Sequence, residues 1–236
     1  MQVAEINTVE RAPKHASWTK AGPVYSNLPE HEIVALEDRA AATIAEPGPL
    51  GLWGLATGTW IVATILAGDY PAAWAGLTIP VLLIFSGIAQ FIAGLYAYRR
   101  ANALMGNAFC CFAALYVTLS MMFLLGDAHL LPAGSNMPVY AGFLLESFGF
   151  IALALAFAAM RVNTVLFAVF GLLFLGYVLT GIAALANSVG TGAWGVLGAI
   201  GGYIMMASAL FAYYGGAALI VNSTWRRIVL PLGGEL

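Results

Sequence analysis

Six long apolar segments constrain this chain more than any other feature. They lie near residues 50–68, 72–98, 103–125, 139–160, 164–187 and 193–222. Each is near or above the roughly 20 residues that cross a bilayer as a helix, the first being short. The runs are apolar on all sides, whereas a membrane β-barrel needs strict alternation. Only helices and closed barrels satisfy every backbone group in lipid, so the expected fold is all-α with six transmembrane helices. Charged residues make up only 8% of the chain, too few to cover a soluble fold of this size.

The basic residues test the count of six. All nine fall in four places: the N-terminal tail (Arg11, Lys14, Lys20, Arg39), the second connection (Arg99, Arg100), the fourth (Arg161) and the C-terminal end (Arg226, Arg227). The first, third and fifth connections hold none. With six spans these four places share one side, and the positive-inside bias puts both termini in the cytoplasm of a plasma or inner membrane. No secretory signal is recognised at the start, so insertion is expected to use the internal segments.

Residues 1–45 read as a polar cytoplasmic tail, largely disordered, with a possible short amphipathic helix around LPEHEIVALEDRAAATI. Residues 46–233 read as the transmembrane domain. The run Glu46-Pro47-Gly48-Pro49-Leu50-Gly51-Leu52 opens the first helix. Proline at the first helical position loses no hydrogen bond, so Pro49 is expected there. The N–H groups of Leu50, Gly51 and Leu52 would then stay free, able to face a carboxylate or to be capped in the ordinary way. Pro80 falls inside the second segment and predicts a bend. Glycines at helical spacing, Gly51, Gly54 and Gly58 in the first helix and Gly192 to Gly202 in the last, predict close helix contacts.

Polar residues at mid-span mark candidate pathways. They include Thr57, Thr59 and Thr64, Ser86 and Gln90, Asn107, Thr118 and Ser120, and Glu146 with Ser147. Gln90 has an amide that wants several partners; it faces either a pore or a neighbouring helix. Glu146 is the only ionisable side chain well inside a span, either a proton site or a residue near the outer surface. The three histidines lie in tails or loops. Cys110 and Cys111 are adjacent and poorly placed to bridge each other. No Cys/His cluster has metal-ligand spacing and no phosphate-binding loop occurs. No catalysis, cofactor, metal or nucleic-acid partner is expected.

Three stretches together resemble a known family. Glu46 to Leu52 is similar to the Asn-Pro-Ala-Pro-Leu-Gly-Leu signature of the acetate uptake transporters, the YaaH-type acetate/succinate–proton symporters with fungal ammonia- and acetate-export relatives. SGIAQFIAGLYAYRRANAL, Ser86 to Leu104, resembles the family's Gly-Gly-x-x-Gln-x-x-x-Gly segment, and RRIVLPLG, Arg226 to Gly233, its ending. The resemblance implies a six-helix protomer in a homohexamer, with a pore through each protomer carrying small monocarboxylates, in some members succinate, with protons. It also implies an apolar constriction from the first, third and fifth helices, which falls on Leu55, Phe112 and Leu173. The path would be lined by Glu46, Pro47, Pro49, Leu50, Gly51, Leu52, Thr57, Gln90 and Asn107. The chain departs from the family at three points: Glu46 stands for Asn, Leu55 for an aromatic, and Phe112 lacks a phenol hydroxyl. The Glu46 carboxylate would suit the helix dipole but compete with or repel a substrate anion. Two other readings stay open: a hexameric channel for a small neutral solute such as urea or an amide, and a non-transporting membrane protein in signalling or assembly.

Overall fold

The computed structural model describes residues 44–69, 72–133, 135–187 and 194–234. The expected tail helix lies outside these residues. All regular structure among the described residues is helical, with six helices long and apolar enough to cross a membrane. They are α1 (Gly48–Ala67), α2 (Trp74–Arg99), α3 (Ala103–Asp127), α4 (Met137–Ala159), α5 (Thr164–Asn187) and α6 (Trp194–Trp225). Their bounds follow local chemistry. Asn102 and Asn136 cap α3 and α4, each side-chain oxygen accepting the N–H three residues on, that of Met105 and of Val139. Gly68 ends α1 in the left-handed conformation, at φ 84°, which glycine adopts without steric cost.

The second span carries the expected disturbance in an unexpected form. A 3-10 helix over Ala72–Thr78 runs into it; one α turn follows at Ile79–Val81, then a π-helix over Leu82–Ala89, and the chain is α-helical from Gln90. Pro80 stands where the winding changes, because it has no N–H to give. Wide π turns are rare and are found frequently at functional sites.

Neighbours in sequence are neighbours in space. Each helix packs on the next, α3 on α4 over the smallest surface, and α6 returns to pack on α1. Close approach is bought by glycine at two seams. A Cβ on Gly202 of α6 would fall 2.8 Å from the backbone N of Ala67 and 2.9 Å from the carbonyl of Ala63. Gly142 of α4 and Gly181 of α5 face each other, a Cβ on either meeting the other's carbonyl at 3.1 Å.

The two ends of the bundle carry different contacts. Arg100 donates to the Ile44 carbonyl and pairs with Glu46, joining the start of α1 to the α2–α3 connection. The C-terminal segment reaches the start of α5, where the Val165 N–H donates to the Leu232 carbonyl. Asp69 and Tyr203 meet at the opposite end, at 2.8 Å. Outward faces are apolar: Phe143, Phe150 and Phe157 on α4 are each more than half exposed. Such a surface suits lipid as its solvent.

Candidate functional site

The interior has one apolar core, and Leu55, Phe112 and Leu173 all belong to it, each at most 1% exposed. The Phe112 ring sits 6.3 Å from Phe170, stacked, and 6.2 Å from both Tyr177 and Phe148. Phe170 and Tyr177 lie three residues before and four after Leu173, so Phe112 faces the part of α5 that carries Leu173.

Gln90 enters this core from α2, directly after the π-helix. It is fully buried, and neither its amide nitrogen nor its amide oxygen has a partner. A Cβ on Gly54 would meet the Gln90 Cβ at 2.9 Å, so the glycine lets this side chain lie against α1 beside Leu55. Among the described residues only Ser86, Gln90 and Tyr177 hold buried side-chain polar atoms without a hydrogen bond. Leaving such a group unpaired costs about 1–3 kcal/mol.

The other sequence candidates disperse. Helix α1 begins at Gly48, with Pro47 at its N-cap and Pro49 second, one residue earlier than expected. The Gly51 N–H is therefore taken by the Pro47 carbonyl at 3.1 Å. By the same helical pattern Leu52 bonds Gly48. The Gly48 N–H donates to Glu46 Oε1 at 3.1 Å. Of the three N–H groups expected to be free, only that of Leu50 remains so, and its side chain is 40% exposed. Gly51 is packed under the Phe109 ring, and Leu52 lies near Gly215 of α6. Thr57 Oγ1 lies 2.9 Å from the Tyr213 hydroxyl, at the α1–α6 seam.

Glu46 is not a free charge. Its second oxygen pairs with Arg100 at 2.9 Å, so the expected repulsion of an anion is offset beside its source. Asn107 is exposed and its amide donates to Ala103 of its own helix at 2.8 Å. Glu146 lies against Gly181 with no hydrogen bond or ion pair among the described residues, and it is half-buried. With α4 starting at Met137, it stands more than two turns inside the helix. Sequence reading passed over Tyr116 and Tyr177. Each lies four residues beyond a constriction candidate, a spacing that places them on the same helix face.

These features match a known family. The model of the GPR1/FUN34/yaaH family matches residues 33–233. The chain belongs to that family. It is 30% identical over 189 residues to "Ammonia transport outward protein 2" of Saccharomyces cerevisiae, with 76% of this chain and 64% of that protein covered. The chain thus spans about two thirds of the yeast relative's length. It is 29% identical over 190 residues to the "Succinate-acetate/proton symporter SatP" of Escherichia coli, with 80% and 96% covered. The solved structure of the bacterial acetate channel SatP aligns with a TM-score of 0.72 at 26% identity, covering 80% of this chain and 99% of that one. The six-helix membrane architecture is therefore that of a family of transport proteins, whose named members here move solutes rather than transform them.

Proposed function

We propose that the protein carries acetate and other small monocarboxylates across a cell membrane, with protons accompanying them, and with succinate as a larger substrate to be tested. The observation that carries this is Gln90. An amide with four hydrogen-bonding sites lies unpartnered in the apolar core, well inside the α2 span. A polar solute crossing there would find its partner in that amide, and the Leu55, Phe112 and Leu173 side chains would exclude hydrated ions by dewetting. The names of the bacterial relatives supply the solute class. The resemblance further supports a homohexamer with a pore in each protomer. The charge bias supports a plasma-membrane or inner-membrane location with both termini cytoplasmic.

A carboxylic acid titrates near pH 4–5, so more of it is neutral outside a cell at mildly acid pH. Vesicles containing the purified protein should therefore take up labelled acetate at a higher initial rate when the external pH is lowered. No flux at any pH would sink this reading. The substitution Leu55→Ala should raise the rates of larger acids relative to acetate. An unchanged substrate profile would remove Leu55 from the narrow point.

A further inference from the structure

About one helical turn beyond Leu55, Gln90, Phe112 and Leu173 lies a second layer of the interior. It consists of Thr59, Ser86, Tyr116 and Tyr177, one residue from each of α1, α2, α3 and α5, and each is at most 1% exposed. The Tyr116 hydroxyl donates to the Leu55 carbonyl at 3.1 Å and lies 2.6 Å from the Thr59 hydroxyl. A phenol has one proton, so Thr59 supplies the proton between them. The hydroxyl of Tyr177 approaches that of Tyr116, but neither it nor Ser86 Oγ forms a hydrogen bond of normal geometry. The Tyr116 ring and Ser86 Cβ crowd the same point over Gly58, at 2.7 and 2.8 Å. Ser86 in turn is four residues from Gln90, whose amide is also unpartnered.

We infer that this hydroxyl layer is a binding site for the undissociated form of a small carboxylic acid. The inference rests on the reading that the solute passes through this interior. The available groups are neutral and serve both as donors and as acceptors. Tyr177 or Ser86 donates to the acid's carbonyl oxygen. Ser86 Oγ, Tyr177 Oη or Gln90 Oε1 accepts from the acid's own O–H. A carboxylate has two acceptor oxygens, no proton to give and a charge to desolvate. No charged side chain is among the buried residues described, so nothing here offsets that cost. The proton therefore crosses as part of the substrate, and no side chain changes charge.

The test uses the full-length protein in vesicles and labelled acetate at two external pH values one unit apart. Total acetate is raised about tenfold at the higher pH, so that the undissociated acid is equal. Equal initial rates are expected. Acetamide, a neutral isostere with a donor and an acceptor, should inhibit. The substitution Tyr177→Phe should raise the half-saturating acetate concentration about three- to tenfold, the loss of one hydrogen bond, and weaken acetamide inhibition alike. Its thermal midpoint in detergent should hold or rise, because the removed hydroxyl has no protein partner. Rates that follow total acetate would overturn the inference while leaving transport intact. So would a Tyr177→Phe protein with unchanged acetate saturation and acetamide inhibition. An absence of flux in the unaltered protein would instead strike the transport reading itself.

Discussion

Gly58 shows how a single residue holds the interior together. The place its Cβ would occupy is already taken by the Tyr116 ring and Ser86. The substitution Gly58→Val should therefore push α2 or α3 away, at a cost of about 1–3 kcal/mol of overpacking, read as a lower melting temperature of the purified protein. At the mouth of α1, Glu46 makes a different case. It accepts from the Gly48 N–H and pairs with Arg100 at a partly exposed site. Such a pair contributes about 0–1 kcal/mol. Glu46→Gln keeps the bond to Gly48, so half-saturation for acetate should shift by less than about fivefold, the equivalent of that energy. A larger gain in acetate affinity would restore Glu46 as a repelling charge. The sequence displays Glu46 as an oddity but hides Arg100 as its partner, because 54 residues separate them and only the folded α1–α2 contact joins them. Tyr116 and Tyr177 were hidden for another reason: an aromatic in an apolar run reads as core, and whether its hydroxyl is paired, as in Tyr116, or left over, as in Tyr177, is a three-dimensional fact.

Elements were far more legible. A run of apolar residues bounded by asparagine caps, glycine or basic residues is local information, so the six spans are placed within a few residues of their observed bounds. The π-helix of α2 is not local in this way. Pro80 announces a disturbance, but whether the chain tightens or widens depends on how Ser86 and Gly87 pack against α1 and α3. The C-terminal segment teaches the same lesson. RRIVLPLG is recognisable in sequence, whereas its role is visible only in the fold. Asn222 at the end of α6 accepts from the N–H groups of Val229 and Leu230, at 2.7 and 2.9 Å, and donates to the Leu230 carbonyl at 2.8 Å. Tyr214 donates to the Pro231 carbonyl, and Thr164 to that of Gly234. The segment is thereby strapped across the start of α5. Asn222→Ala removes three hydrogen bonds worth about 1 kcal/mol each. Residues 229–234 should then exchange their amide hydrogens faster and become open to carboxypeptidase, while the six helices stay folded. Unchanged exchange would mean that the strap is held elsewhere.

At the scale of the whole molecule, among the described residues Arg100 of the α2–α3 connection lies beside the start of α1 and the C-terminal segment beside the start of α5, while Asp69 and Tyr203 meet at the opposite end of the bundle. With Cys110 and Cys111 first replaced by alanine, His129→Cys should react with an impermeant maleimide on intact cells. Ile228→Cys should react only after permeabilisation. The reverse pattern would invert the orientation that the charges imply. Native mass spectrometry of the detergent-solubilised protein should give a mass six times that of the chain; a monomer would remove the hexamer. The bundle also closes in a particular way, with α6 packed against α1 across the glycine seam at Gly202. That seam fixes a schedule for the ribosome. Helix α1 leaves it long before α6 is made, and at about 5–20 residues per second the delay is on the order of 10–30 s. During that interval the face of α1 that includes Ala63 and Ala67 has no native neighbour. The newborn chain must therefore be held by the insertion machinery or by lipid until its last helix arrives, and a message truncated before α6 would yield five inserted helices around an unsealed seam, a substrate for membrane proteases.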